Sequence, residues 1–127
     1  MRTRVETQIA GQYQRKFYNR VKWCDEYGFS HIRNETSSPE LAEVVSSEVV
    51  GPRMHTPVLD IDIPAYLIPS ATPGHSHLYI DHLMTWRQYK RLLKALARAG
   101  IIEKGYADAS IRRGHTCVRV PWRKKGD

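Results

Sequence analysis

The chain has little cysteine, no long apolar run and few acids towards either end, and each shortage excludes something. Its two cysteines, Cys24 and Cys117, stand far apart and lack C-x-x-C spacing. A disulfide framework is excluded by count, and a thiolate zinc site is not expected. No apolar stretch approaches the ~20 residues of a membrane helix, so no membrane association is expected. Met1-Arg-Thr-Arg-Val-Glu has no apolar segment behind its charges, so a secretory leader is not expected. The expectation is a reduced, cytoplasmic protein. Internal repeats and low-complexity tracts are also lacking.

What is present is basic charge, unevenly spread. The 127 residues carry a net charge of +7. Residues 1–34 hold seven Lys/Arg against three acids, residues 35–84 one against seven, and residues 85–127 twelve against three. A basic–acidic–basic layout fits a polyanion held by the ends with carboxylates near the middle. It equally fits a basic protein whose helices carry solvated Lys/Arg faces.

The length fits one domain with a real core. Val5, Ile9, Tyr13, Phe17 and Val21 recur every four residues and predict a helix over 4–26. Ser38-Pro39-Glu40 reads as the start of a second helix, buried through Leu41, Val44, Val45 and Val49 and ended by Gly51-Pro52. Alternation then predicts strands over 58–63, 75–80 and 115–120. Between the last two, Thr85-Trp-Arg-Gln88 is a capping box that opens a helix over 85–99, with Gly100 at its end. The fold class expected is α+β. It has a helical part over 4–50 and a core over 57–121, where a small antiparallel sheet of three or more strands is backed by helix 85–99. A loose basic tail follows over 123–127.

One face of that expected sheet holds the chemistry. Leu59, Ile61 and Ile63 would face inward, leaving Asp60 and Asp62 outward. His75, His77 and Tyr79 would face outward on the second strand, and His115, Cys117 and Arg119 on the third. Asp is among the poorest strand formers, and two carboxylates at i and i+2 repel, so folding alone does not select Asp60 and Asp62. A cation between them removes the penalty. Asp60, Asp62 and His75 are therefore the candidate ligands of a divalent metal. Carboxylates suit Mg or Mn, and mixed carboxylate and imidazole suit Zn. His77 is the candidate acid/base and Arg119 the candidate fork for a phosphate oxygen. His115 and Tyr79 accompany them. The plain alternative is a solvated sheet face on which Asp60 pairs with Arg119.

Two resemblances accompany these residues. Leu-Asp-Ile-Asp-Ile-Pro, Pro-Gly-His-Ser-His-Leu-Tyr-Ile-Asp and Arg-Gly-His-Thr-Cys-Val-Arg-Val-Pro-Trp, over about half the chain, resemble small uncharacterised proteins of actinobacterial phages. That implies a phage accessory protein in host cytoplasm. The same stretch resembles the catalytic core of archaeo-eukaryotic primases and primase-polymerases, which pair an h-D-h-D strand with an S-G-G-x-H-h-Y strand. On that resemblance Asp60 and Asp62 correspond to metal-binding acids and His77 to a histidine on nucleotide phosphate. Here roughly a dozen residues separate the two motifs, and Arg119 stands where an acid belongs, so polymerisation is not implied.

The implied partner is nucleic acid or nucleotide. A rival is a non-catalytic DNA-binding module. Leu92 to Lys104 with the basic loop after it resembles the end of a winged helix. Arg87, Arg91 and Lys94 would then enter the major groove, with Arg112 and Arg113 in the wing. A host protein bound and inhibited by the chain is the third class of partner.

Overall fold

A computed structural model describes residues 2–19, 22–25, 28–31, 34–124 and 126, with backbone alone over 22–25 and 28–31. The fold is α+β, with three α-helices and small antiparallel sheets among the described residues. The chain divides into two compact units, Met1–Asp60 and Ile61–Asp127.

The first unit opens with α1 (Arg4–Ala10). The Thr3 hydroxyl accepts the Glu6 N–H at 3.1 Å, and Glu6 Oε2 accepts the Thr3 N–H at 2.7 Å, a reciprocal cap. The helix stops at Gly11, whose φ of 71° lies in the left-handed region that a side chain disfavours. β1 (Arg15–Asn19), β2 (Lys22–Asp25), β3 (Gly28–His31) and β4 (Asn34–Thr36) follow, then β5 (Val44–Val49). β1 lies between β4 and β5, and β2 pairs with β3. Phe17, 8 % exposed, stands opposite Thr36 on one side and Val45 on the other.

This cuts the first expected N-terminal helix back to α1, Arg4–Ala10, and replaces the second. A four-residue spacing is also an even spacing, so it keeps residues on one face of a strand as readily as on one helix face. Phe17 and Tyr18 favour the strand. Val21 and Arg20 lie outside the described residues. Ser38-Pro39-Glu40 does begin a turn of helix, but only a single 3-10 turn, Pro39–Leu41. Beyond it, Val44, Val45 and Val49 are β-branched and pair as β5.

The second unit contains β6 (Ala65–Pro69) and β7 (Ser76–Ile80), an antiparallel hairpin, followed by α2 (Trp86–Arg98) and α3 (Lys104–Arg113). β7 and α2 lie within a residue or so of expectation, and Thr85 and Gln88 make the capping box. Gly100 N–H bonds Ala97 O at 3.1 Å and Ile101 N–H bonds Leu96 O at 2.9 Å, the paired bonds that close a helix at a left-handed glycine.

Three expectations fail in this unit. Residues 58–63 are irregular, and the strand that pairs with β7 is β6, flanked by Pro64 and closed by Pro69, positions where no ladder donor is needed. No element is expected between helix 85–99 and the strand over 115–120, yet α3 lies there, with Ala107 and Ser110 buried. Residues 115–120 form no strand, so the sheet here has two strands. α2 packs against α3 rather than backing a three-stranded sheet.

Candidate phosphate-binding cleft

The second unit contains a cleft of about 450 Å³. One wall is the end of β6 and the loop after it, with Ile68, Ser70 and Thr72. His77 of β7 joins that wall, and Arg119, Val120, Arg123 and Lys124 form the other. No lining residue is Asp or Glu. Three permanent cations and an imidazole around one concavity create a field that selects anions.

The loop wall is held by its own hydrogen bonds. Ser70 N–H bonds His75 O at 2.9 Å, and His75 N–H bonds Thr72 O at 3.0 Å. The Ser70 hydroxyl accepts the Thr72 N–H at 3.2 Å, a local turn of the Ser/Thr type. Gly74, with φ 79°, lets the loop reverse. His77 is half-buried on β7, directly opposite Ile68, so both side chains leave the same face of the hairpin.

The cationic wall is irregular chain pinned by the helices. The Tyr89 hydroxyl of α2 shares a hydrogen bond of 2.8 Å with the Thr116 hydroxyl. The Tyr106 hydroxyl of α3 donates to Cys117 O at 3.2 Å. These bonds fix residues 116 and 117, two positions before Arg119, and Arg123 N–H turns back to Val120 O at 3.2 Å.

Of the residues expected to act together, His77 and Arg119 do line one cleft. Asp60 and Asp62 are exposed in irregular chain, where the strand penalty that singled them out does not arise. His75 is exposed at the base of β7, and its backbone closes the hairpin loop. His115 is exposed, with Nδ1 3.4 Å from Cys117 Sγ. Tyr79 lies on β7 opposite Tyr66. Among the described residues no three of His, Cys, Asp or Glu come together to hold a metal ion. Asp60, Asp62 and His75 are not brought together as such a group.

The helical cations take different positions. Arg87, Arg91, Lys94 and Arg98 fall at i, i+4, i+7 and i+11 of α2, all exposed. None has an ion-pair partner among the described residues. Arg112 and Arg113 are in the last turn of α3, not in a wing. Arg113 Nε donates to His115 O at 3.1 Å, a C-terminal position suited to a cation.

Sequence reasoning missed Thr72, Arg123 and Lys124. The hydroxyl-bearing loop Pro69-Ser-Ala-Thr-Pro-Gly falls between the expected strands, and Arg123 onward falls in the expected tail, of which Lys125 and Asp127 lie outside the described residues. A run of cations directly after Pro121 was the available signal.

The first unit has a smaller cleft of about 320 Å³, where Glu48 stands among Lys16, Arg53 and His55. Its carboxylate accepts the Tyr18 hydroxyl at 2.8 Å and the Ser46 hydroxyl at 3.1 Å. Those bonds hold the Glu48 carboxyl below its ordinary pKa. Burial, then the Glu48 hydrogen bond and charge, push the Tyr18 phenol up to about 12. Mixed signs and inward hydrogen bonds make this cleft part of the fold.

No protein-family model, no curated protein and no solved structure matches the chain.

Proposed function

We propose that the chain is an accessory nucleic-acid-handling protein, of the phage-infected cytoplasm its sequence resemblance implies, that grips phosphate groups in the His77–Arg119 cleft. The observation that carries this is the lining itself: Arg119, Arg123 and Lys124 with His77, and no carboxylate. Arg119 offers a planar fork to two phosphate oxygens. His77 offers an imidazole N–H, and Thr72 a hydroxyl without a hydrogen-bond partner among the described residues. The ligand is the phosphate of a nucleic acid or nucleotide.

The test is calorimetric titration with inorganic pyrophosphate and with a short oligonucleotide, without added metal. Arg119→Ala removes a charge-assisted contact of about 1.5–3 kcal/mol, so affinity should fall roughly 10- to 100-fold. Unchanged affinity in that variant would refute the proposal.

A second reading, duplex-DNA binding by α2, is favoured by the stripe Arg87, Arg91, Lys94 and Arg98, which has no ion-pair partner among the described residues. It needs the major groove to accept that helix and makes no use of the cleft.

A further inference from the structure

The hairpin face that carries His77 into the cleft also carries aromatic rings. In the β6–β7 register Ile68 stands opposite His77, and Tyr66 opposite Tyr79. Opposed residues share a face, as do residues two apart on one strand. Tyr66, Ile68, His77 and Tyr79 therefore occupy one continuous surface, and its Ile68–His77 end lines the cleft. Tyr66 is 60 % exposed and Tyr79 38 %. Trp122 stands in sequence between the cleft residues Pro121 and Arg123, is 79 % exposed and is not itself part of the lining. Large aromatic side chains normally contribute their area to a core or an interface, and here two extend a face that lines the cationic concavity while a third is next to its lining in the chain.

Rings beside a positive groove are what an unpaired strand requires. Its phosphates follow the cations, and its bases, free of a complement, lie on π faces whatever their identity. A duplex keeps its bases stacked inside and gains nothing from such rings. We infer that the ligand of the cleft is single-stranded nucleic acid, with phosphates on Arg119, Arg123 and Lys124 and unstacked bases on Tyr66, Tyr79 and Trp122. This rests on the phosphate-binding function of the cleft and adds the class of strand. The nearest acid along β7 is Asp81, just past the strand end and away from the cleft.

The experiment measures fluorescence anisotropy of the full chain with three labelled probes of equal phosphate number: an oligothymidine, its abasic counterpart and a duplex. Wild-type protein should bind oligothymidine well ahead of the other two, a comparison that needs no variant, and should quench tryptophan emission, a change that Trp122→Ala should remove. Tyr66→Ala, Tyr79→Ala and Trp122→Ala should each weaken oligothymidine binding by roughly five- to hundred-fold and leave the abasic probe unchanged. Tyr66→Phe and Tyr79→Phe keep the ring and should bind like wild type, which separates stacking from misfolding. Equal affinity for the oligothymidine and abasic probes, or preference for the duplex, would overturn the inference while Arg119→Ala still weakens every probe. If Arg119→Ala weakens none, the phosphate-binding function fails as well.

Discussion

The two units contain nearly the same number of residues and use charge in opposite ways. Met1–Asp60 holds eight Lys/Arg and eight Asp/Glu, so its formal charge cancels. Ile61–Asp127 holds twelve against five, which is the whole +7 of the chain. In the first unit charge is answered internally: Lys16 pairs with Glu35 at 3.8 Å, and Glu48 accepts two hydroxyls. In the second, Lys104 and Asp108 pair along α3, while the α2 stripe and Arg119 have no acidic partner among the described residues. Cations that a fold leaves unanswered raise its self-repulsion, and an anionic ligand removes that cost. On the proposed function, the first unit is the scaffold and the second takes the ligand.

The largest expected effect tests the scaffold side. Phe17→Ala removes the ring at the centre of β4–β1–β5 and should cost about 3–5 kcal/mol. Hydrogen exchange should show lost protection in those strands, while Arg119-dependent pyrophosphate binding persists. Loss of that binding would break the division of labour. Next comes the α2 stripe. Neutralising Arg87, Arg91 or Lys94 one at a time should lower the salt slope of duplex binding by about one each if α2 tracks phosphates. Slopes unchanged across all three variants would leave the cleft as the sole site.

The smallest effect is a pH dependence confined to the first unit. The Glu48 pKa is lowered in the fold, so its stabilisation is present above the unfolded value and fades as pH falls through the folded one. Tyr18 is raised from 10.0 to about 12, so its stabilisation is full below pH 10 and is lost as pH rises towards 12. Urea midpoints against pH should therefore fall at both ends. Tyr18→Phe should flatten the alkaline limb and shallow the acid one; an alkaline limb unchanged in that variant would exclude the phenol as its source.

Features legible in the sequence were those signalled by more than one kind of residue. α2 had a capping box and a terminal glycine, and both agree with the structure. β7 had alternation after Pro73-Gly74. The N-terminal strands were hidden because Tyr13 to Phe17 and Val45 to Val49 are four apart, a spacing common to helix and strand. α3 was hidden because its buried face is Ala107 and Ser110, too small and polar to register as an apolar stripe. Residues 115–120 alternate as a strand should, yet Thr116 and Cys117 O bond tyrosine hydroxyls in place of a neighbouring strand. At the site, His77 and Arg119 were legible because imidazole and guanidinium carry their chemistry in any backbone. Asp60 and Asp62 were chosen on a strand that does not form.

The two phenolic pins have a consequence for when the cleft is first complete. One wall of the cleft is complete once residues 70–77 have left the ribosome, but the other waits for residues 119–124 and for α2 and α3 to offer Tyr89 and Tyr106. Contacts between segments so distant in the chain close late. A nascent chain that has folded its hairpin and both helices therefore still lacks the cationic wall of the cleft. That wall closes when the arm carrying Arg119 is hung from two hydroxyl groups.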